Sequence, residues 1–233
     1  MKAMRLVTWN CCRGRAEAKL PLLATLNPSI AVVQECGRPS EESVSCLWFG
    51  DRPHQGVAVL GSSEYRIEPI KPRRAPPYHR PFQVTGPRTF LLLAVWSVKN
   101  PKYPYVKSLI RSVELYRKLI RAQPTVIIGD FNSNAIWNRK REGTRDHRAL
   151  VTMLSKLGLV SAYHHFFGEE QGSETRPTFY LLWKENRPYH IDFCFIPEAW
   201  TANIRSVSVG SYADWSASSD HRPLVVELND PAA

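Results

Sequence analysis

The chain of 233 residues lacks most of the features that mark specialised protein classes. Its longest apolar run, Phe90–Trp96, falls far short of the roughly 20 residues a membrane-spanning helix needs. Its five cysteines are odd in number and show neither metal-type spacing nor a secreted disulfide framework. That excludes a small zinc module and a disulfide-stapled scaffold. No Gly/Ser linker, low-complexity run or repeat divides the chain, so one domain over residues 1–233 is expected. Met1 leads almost directly into a strand pattern, so no signal peptide is expected, and a reducing cytoplasm is the default location. Acids are scarce beside bases. Lys plus Arg total 31 against 21 Asp plus Glu, a net charge of +10 with a pI near 9.6. Such an excess points to a polyanion, an anionic lipid or an acidic substrate. Nothing in the sequence points to a protein partner.

What is present is a globular pattern with a 43% hydrophobic fraction. Its centre is the stretch V-I-I-G-D-F-N, Val126–Asn132. The β-branched run reads as a buried strand that Gly129 ends. Asp130 and Asn132 then emerge two apart, on one side if the pleat persists. A carboxylate beside an amide can orient or deprotonate a water while a neutral donor holds an anionic oxygen. The same residues also fit an Asx-turn closing a strand.

The flanking pattern predicts further elements. Met4–Trp9 reads as a strand ending in Asn10, Ala16–Leu26 as a helix, and Ile30–Val33 as a strand ending in Gln34 and Glu35, together a β-α-β unit. Cys46–Phe49, Gly56–Leu60 and Arg88–Val98 read as strands. Ile67–Val84 is proline-rich and reads as irregular. Val106–Arg121 is an amphipathic helix with Leu109, Val113, Tyr116 and Ile120 on its apolar face. Arg148–Leu157 reads as a helix capped by Gly158. Thr178–Trp183 and Ile191–Ile196 are expected to pair, with Ile204–Val209 and Leu224–Leu228 completing the strands.

Five strand ends thus carry unusual polar residues: Asn10, Glu35, Asp130, Asp192 and the pair Asp220-His221. Antiparallel neighbours put the end of one strand beside the start of the next, so all five fit one rim. Acids converging there would repel one another without a cation, and an oxygen-rich site suits Mg²⁺ or Mn²⁺ rather than zinc. Taken singly, each residue also has an ordinary reading as a turn cap, a solvated acid or an ion-pair partner.

In order along the chain, T-W-N (Thr8–Asn10), Q-E (Gln34-Glu35), H-Q-G-V-A-V-L (His54–Leu60), G-D-F-N (Gly129–Asn132), I-D-F (Ile191–Phe193) and S-D-H (Ser219–His221) resemble the endonuclease/exonuclease/phosphatase superfamily of deoxyribonuclease-I-like and exonuclease-III-like enzymes. The resemblance implies a four-layer α/β sandwich, two packed mixed sheets flanked by helices. It implies Glu35 as main metal ligand, supported by Asn10 and completed by Asp220. It implies Asp130 on the attacking water, Asn132 on the water or phosphate, and His221 on a phosphate oxygen with Asp192 orienting it. The chain departs from abasic-site repair enzymes at Cys12, where relatives place a polar metal-site residue, and at His190, where they often place Arg. The strand Arg88–Val98 lacks the His or Tyr that relatives aim at phosphate; Lys99, Asn100 and Tyr103 are the candidate substitutes.

The basic stretches Arg66–Arg88 and Arg139–Arg148 read as loops. In the second, Arg139, Lys140, Arg141 and Arg145 are suited to a phosphate backbone. Trp137, Trp183 and Trp215 are candidates for stacking on bases or for ordinary packing. The expectation is a metal-dependent nuclease acting on nucleic acid. A phosphomonoesterase or an inositol or lipid-head-group phosphoesterase is the alternative, and a catalytically silent binding module comes third.

Overall fold

The structure is a computed structural model that describes residues 3–40, 45–71, 75–102, 104–138 and 145–229. Along the chain come β1 (Ala3–Asn10), α1 (Ala16–Ala24), β2 (Ile30–Cys36), β3 (Cys46–Arg52), β4 (Gln55–Gly61), β5 (Arg66–Pro69), β6 (His79–Thr85) and β7 (Phe90–Trp96). There follow α2 (Val106–Ala122), β8 (Thr125–Asp130), α3 (His147–Ser155), β9 (Leu159–Ser161), α4 (Ala162–Phe167), β10 (Phe179–Tyr180), β11 (Pro188–Tyr189) and β12 (Asp192–Pro197). The last elements are β13 (Ile204–Val209), α5 (Tyr212–Trp215) and β14 (Leu224–Asn229).

Two mixed six-stranded sheets result, in the orders β13-β14-β1-β2-β4-β3 and β5-β6-β7-β8-β12-β9; β10 and β11 form a separate ribbon. Each sheet holds one parallel pair bridged by a helix, β1 with β2 through α1 and β7 with β8 through α2. A parallel pair needs such a crossover, and the helix then covers the outer face.

The period of two decides what fills each layer. Met4, Leu6, Ile30, Val32, Val126, Ile128, Cys194 and Ile196 meet between the sheets. The alternate residues Val7, Trp9, Ala31 and Val33 pack under α1 with Ala16 and Leu23. Leu91, Leu93, Val95 and Ile127 pack under α2 and α3 with Leu109, Val113 and Leu150. Strands buried on both faces read as continuous apolar runs, as β7 does. The inward parity also carries Asn10, Gln34, Asp130 and Asp192 to the mouth of the space between the sheets.

Several expectations need correction. The proline-rich stretch Ile67–Val84 contains most of β5 and of β6, paired within it from Ile67↔Val84 to Pro69↔Phe82. Pairing with β7 overrides the local breaking tendency, and Pro81 still accepts the Ile70 N–H at 3.0 Å. Within the basic stretch Arg66–Arg88, Arg80 lies over the Phe49 ring, and the buried Arg88 donates to Asn229 O and covers Trp200. Arg73 and Arg74 lie outside the described residues. Phe179–Tyr180 pairs with Pro188–Tyr189, not with Ile191–Ile196, because β12 is inserted between β8 and β9 and buried throughout. The third helix ends at Ser155 with Lys156 as its cap, two residues before Gly158.

Candidate active site

Local backbone chemistry brings the acids of β8 and β12 together. Gly129 has φ 147° and a Cβ there would lie 1.9 Å from Val95 O, so only glycine fits the step before Asp130. Asp130 faces Asp192 across the antiparallel pair β8/β12. Asn132 has φ 46° and closes an Asx-turn, its N–H donating to Asp130 Oδ1 at 2.8 Å. The turn and the Asp130–Asn132 side-chain arrangement are therefore one structure. Asn132 Nδ2 also donates to Asp130 Oδ2 at 2.8 Å and to Ser97 O at 2.9 Å. Both amide hydrogens are thus committed, which leaves Oδ1 as the free end of the amide.

Asn10 and Glu35 come from the other sheet. Glu35 sits on a register shift between Gln34 and Cys36 with φ 56°. In a regular strand it would share the face of Val33 beneath α1; the bulge turns it to the rim. Asn10 Nδ2 bridges the two sheets, donating to Glu35 Oε1 at 3.2 Å and Asp130 Oδ2 at 3.0 Å. Its Oδ1 accepts the Cys12 N–H at 3.0 Å. Beneath the rim, the buried pair Thr8 and Gln34 satisfies itself across β1 and β2 at 2.9 Å.

His221 reaches the rim from the segment before β14. Its Nδ1 pairs with Asp192 Oδ2 at 2.9 Å. Ser219 Oγ donates to Asn10 O at 2.7 Å and accepts the His221 N–H at 2.9 Å, so one hydroxyl ties both halves of the site. Arg222, fully buried between the Tyr180 and Tyr212 rings, donates to the carbonyls of Ser219 and His221. Thr178 Oγ1 accepts the N–H groups of Ile191 and Asp192. Arg222 and Thr178 were invisible as site residues in the sequence, because their role depends on partners brought in by the fold.

Burial, reinforced by the charge of Asp192, pushes the Asp130 carboxyl up to about 8. Burial alone would lower the His221 pKa, but the charge and hydrogen bond of Asp192, with Asp130 and Asp220, hold it up at about 9. Ligand atoms of Asp130, Asp192 and His221 lie within 4.8 Å of one another, and Asp192 Oδ1 is buried without a hydrogen-bond partner among the described residues. An orphaned carboxylate oxygen beside a second dry carboxylate fits a nearby divalent cation, and Glu35 stands on the same rim, its Oε1 linked to Asp130 Oδ2 through Asn10 Nδ2. Asp220 lies beside Cys12, whose thiol is pushed up to about 12 by burial and by that carboxylate.

Other candidates fall elsewhere. His190 is buried, bonds Arg176 O through Nδ1 at 2.8 Å and packs on Tyr163 and Phe193; burial lowers its pKa to about 4. Trp215 is buried edge-on against Trp9, whereas Trp137 and Trp183 are exposed. Arg145 pairs with Glu114 at 3.4 Å and borders a cleft that reaches Asn132. Arg139, Lys140, Arg141 and Tyr103 lie outside the described residues.

No protein-family profile matches the sequence, and no curated protein matches it. Solved structures do. A 3′–5′ exonuclease from Neisseria meningitidis superposes with a TM-score of 0.71 at 20% identity, over 97% of this chain and 100% of that one. A Neisseria 3′ phosphatase bound to a product DNA hairpin gives 0.69 at 20%, over 97% and 99%. An AP endonuclease from Archaeoglobus fulgidus gives 0.69 at 16%, over 97% and 99%. With two six-stranded sheets flanked by helices, the chain shares the α/β-sandwich fold of these solved structures.

Proposed function

We propose that this chain is a metal-dependent phosphodiesterase that hydrolyses nucleic acid. The observation that carries the reading is the single rim on which Asn10 joins Glu35 to Asp130, Asp192 faces Asp130 and holds His221, and Ser219 ties the two groups. In this reading Glu35, with Asn10 and Asp220, holds Mg²⁺ or Mn²⁺, and the ion supplies Lewis-acid stabilisation of charge on the phosphate. Asp130 orients the attacking water and takes its proton. Asn132 fixes Asp130 and offers its free Oδ1 to that water. His221, held through Nδ1 by Asp192, presents Nε2–H to a phosphate oxygen, where a fixed donor is worth most as charge develops. The five described cysteines are free thiols, which suits a reducing compartment such as the cytoplasm. Among the described residues no helix is long and apolar enough to cross a membrane.

The net charge of +10 supports a polyanionic substrate, and DNA is the substrate class favoured by the fold relatives, one of them bound to a hairpin product. The same Neisseria protein is named both exonuclease and 3′ phosphatase, so removal of a terminal phosphate is a second reading of the same site. Labelled DNA, RNA, abasic duplex and inositol phosphates, each with Mg²⁺, Mn²⁺ or chelator, separate the readings. The expected result is metal-dependent cleavage of oligonucleotides. Turnover of an inositol phosphate far above every nucleic acid would replace the nuclease. Changing Arg139, Lys140 and Arg141 to alanine should flatten the log–log salt dependence of oligonucleotide binding by roughly 0.7 to 0.9 per lost phosphate contact.

A further inference from the structure

Beside Asn132 the surface opens into a cleft of about 1110 Å³. A file of rings leads into it from the site. Phe179 lies 4.6 Å from the His221 ring at 42°, Tyr189 lies 6.3 Å from Phe179 at 34°, and Trp137 lies 5.4 Å from Tyr189 at 33°. Each pair is tilted and none closes edge-on, so a chain of ring contacts runs outward from His221. Trp137 at the outer end is 51% exposed, and Tyr105, also lining the cleft, is 41% exposed. Large rings left open beside a polar site mark a place where something binds.

The outer ring is also built in place. Trp137 ends a short 3₁₀ turn (Ala135–Trp137) whose first N–H groups are capped by Asn134, with Oδ1 accepting Ile136 N–H at 2.9 Å. Asn134 is itself buried, its Nδ2 donating to His190 O at 2.8 Å and to Glu174 Oε2 at 3.1 Å. Lys107 and Arg145 stand at the cleft's border with the acid Asp146 among them. Rings flanked by cations are complementary to a ligand with a π face and an anionic backbone.

We infer that the Phe179–Tyr189–Trp137 file is a stacking shelf for an unpaired base, so that the preferred substrate is a single-stranded or frayed segment of nucleic acid. The inference rests on the nuclease reading and deepens it. In a duplex both faces of a base are covered by its neighbours, and a shelf offers such a base nothing. A base that has left the stack has a free face for Trp137 while its phosphate lies toward His221. The cleft exceeds the roughly 300–1,000 Å³ of ordinary small-ligand sites, which leaves room for a nucleotide and its backbone. An inositol or lipid head group has no π face and would leave the rings uncovered.

The test is binding, read apart from turnover. A fluorescein-labelled oligothymidylate and a blunt hairpin duplex are titrated with Mg²⁺ present against Asp130→Asn protein, and against the same protein carrying Trp137→Ala or Trp137→Phe. The expected result is a preference for the single strand that Trp137→Ala weakens by about 5- to 150-fold, the range that one lost base stack covers. Trp137→Phe should retain most of the affinity, and duplex binding should not change. Trp137 is exposed, so its replacement leaves the core intact; a thermal melt of each variant checks this. Equal losses on both ligands, or none on either, would overturn the shelf while metal-dependent cleavage by the wild-type chain kept the nuclease reading standing. Absence of cleavage of every oligonucleotide by the wild-type chain would instead remove the nuclease.

Discussion

The two sheets end at the same rim in opposite conditions. Strands β8 and β12 deliver Asp130 and Asp192 with no exposed surface, and His221 is locked onto Asp192. Strands β1 and β2 deliver Asn10, which is buried, and Glu35, whose side chain is 21% exposed with the open guanidinium of Arg13 at 3.7 Å. The dry half is held by backbone and side-chain donors, so its groups are fixed in place before a substrate arrives. The wetter half is open to solvent and so to an exchangeable ion. In the proposed mechanism the first half handles water and phosphate, and the second holds the metal.

The largest expected effect breaks the dry half. Asp130→Asn should lower kcat by about 10² to 10⁴, the range of a general base, and raising Mg²⁺ should not restore it. Adding His221→Ala should cost far less than the product of the two single losses, because the pair acts as a unit. Steady-state rates of the single and double variants check both points, and a near-wild-type Asp130→Asn enzyme would break the assignment.

Glu35→Gln should behave differently. It keeps the shape and removes an anion from the open half, so activity should fall sharply at low metal and recover in part as Mg²⁺ or Mn²⁺ is raised. A metal titration of kcat reads the difference directly. If Glu35→Gln resists rescue as Asp130→Asn does, the division of labour between the sheets is wrong.

Ser219→Ala tests the tie between the halves. It removes the acceptor for His221 N–H and the donor to Asn10 O, both buried, at a cost of about 1–3 kcal/mol in stability. Urea unfolding measures that loss, and the rate should fall less than in Asp130→Asn.

A separate effect, visible only at acid pH, lies behind the dry half. His79 is buried among Ser97, Ser108 and Ser112, with Nδ1 at 2.9 Å from Ser112 Oγ, and burial lowers its pKa from 6.5 to about 3. Below pH 6.5 the unfolded chain binds a proton that the folded chain refuses. Wild-type stability should therefore fall, relative to His79→Gln, by roughly 1.4 kcal/mol per pH unit as pH drops from 6.5 toward 3. Parallel stability–pH curves for the two proteins would show that His79 does not titrate this way.

Much of this was legible from residues. Ile204–Val209 forms the strand its alternation predicts, and Leu109, Val113, Tyr116 and Ile120 form the buried face of α2. Strand and helix periods are local, so the chain carries them openly. The strands of Ile67–Val84 were hidden, because β6 is stabilised by a partner, β7, that the local proline content does not reveal. His190, which stands where relatives often place Arg, packs on Tyr163 and Phe193 in the interior, a placement that no local pattern showed.

By itself the sequence determined the buried strand before Asp130, the basic balance of the chain, and the placing of an acid, an amide or a histidine at five strand ends. Those depend on composition and on a period of two. Only the tertiary structure decided that the inward parity of both sheets opens on one rim, and that the bulge at Glu35 turns its carboxylate there. It alone set His221 against Asp192, 29 residues away, with Ser219 and Arg222 beneath. Contacts of that kind arise from packing one sheet on another, and no local pattern along a chain encodes the partner.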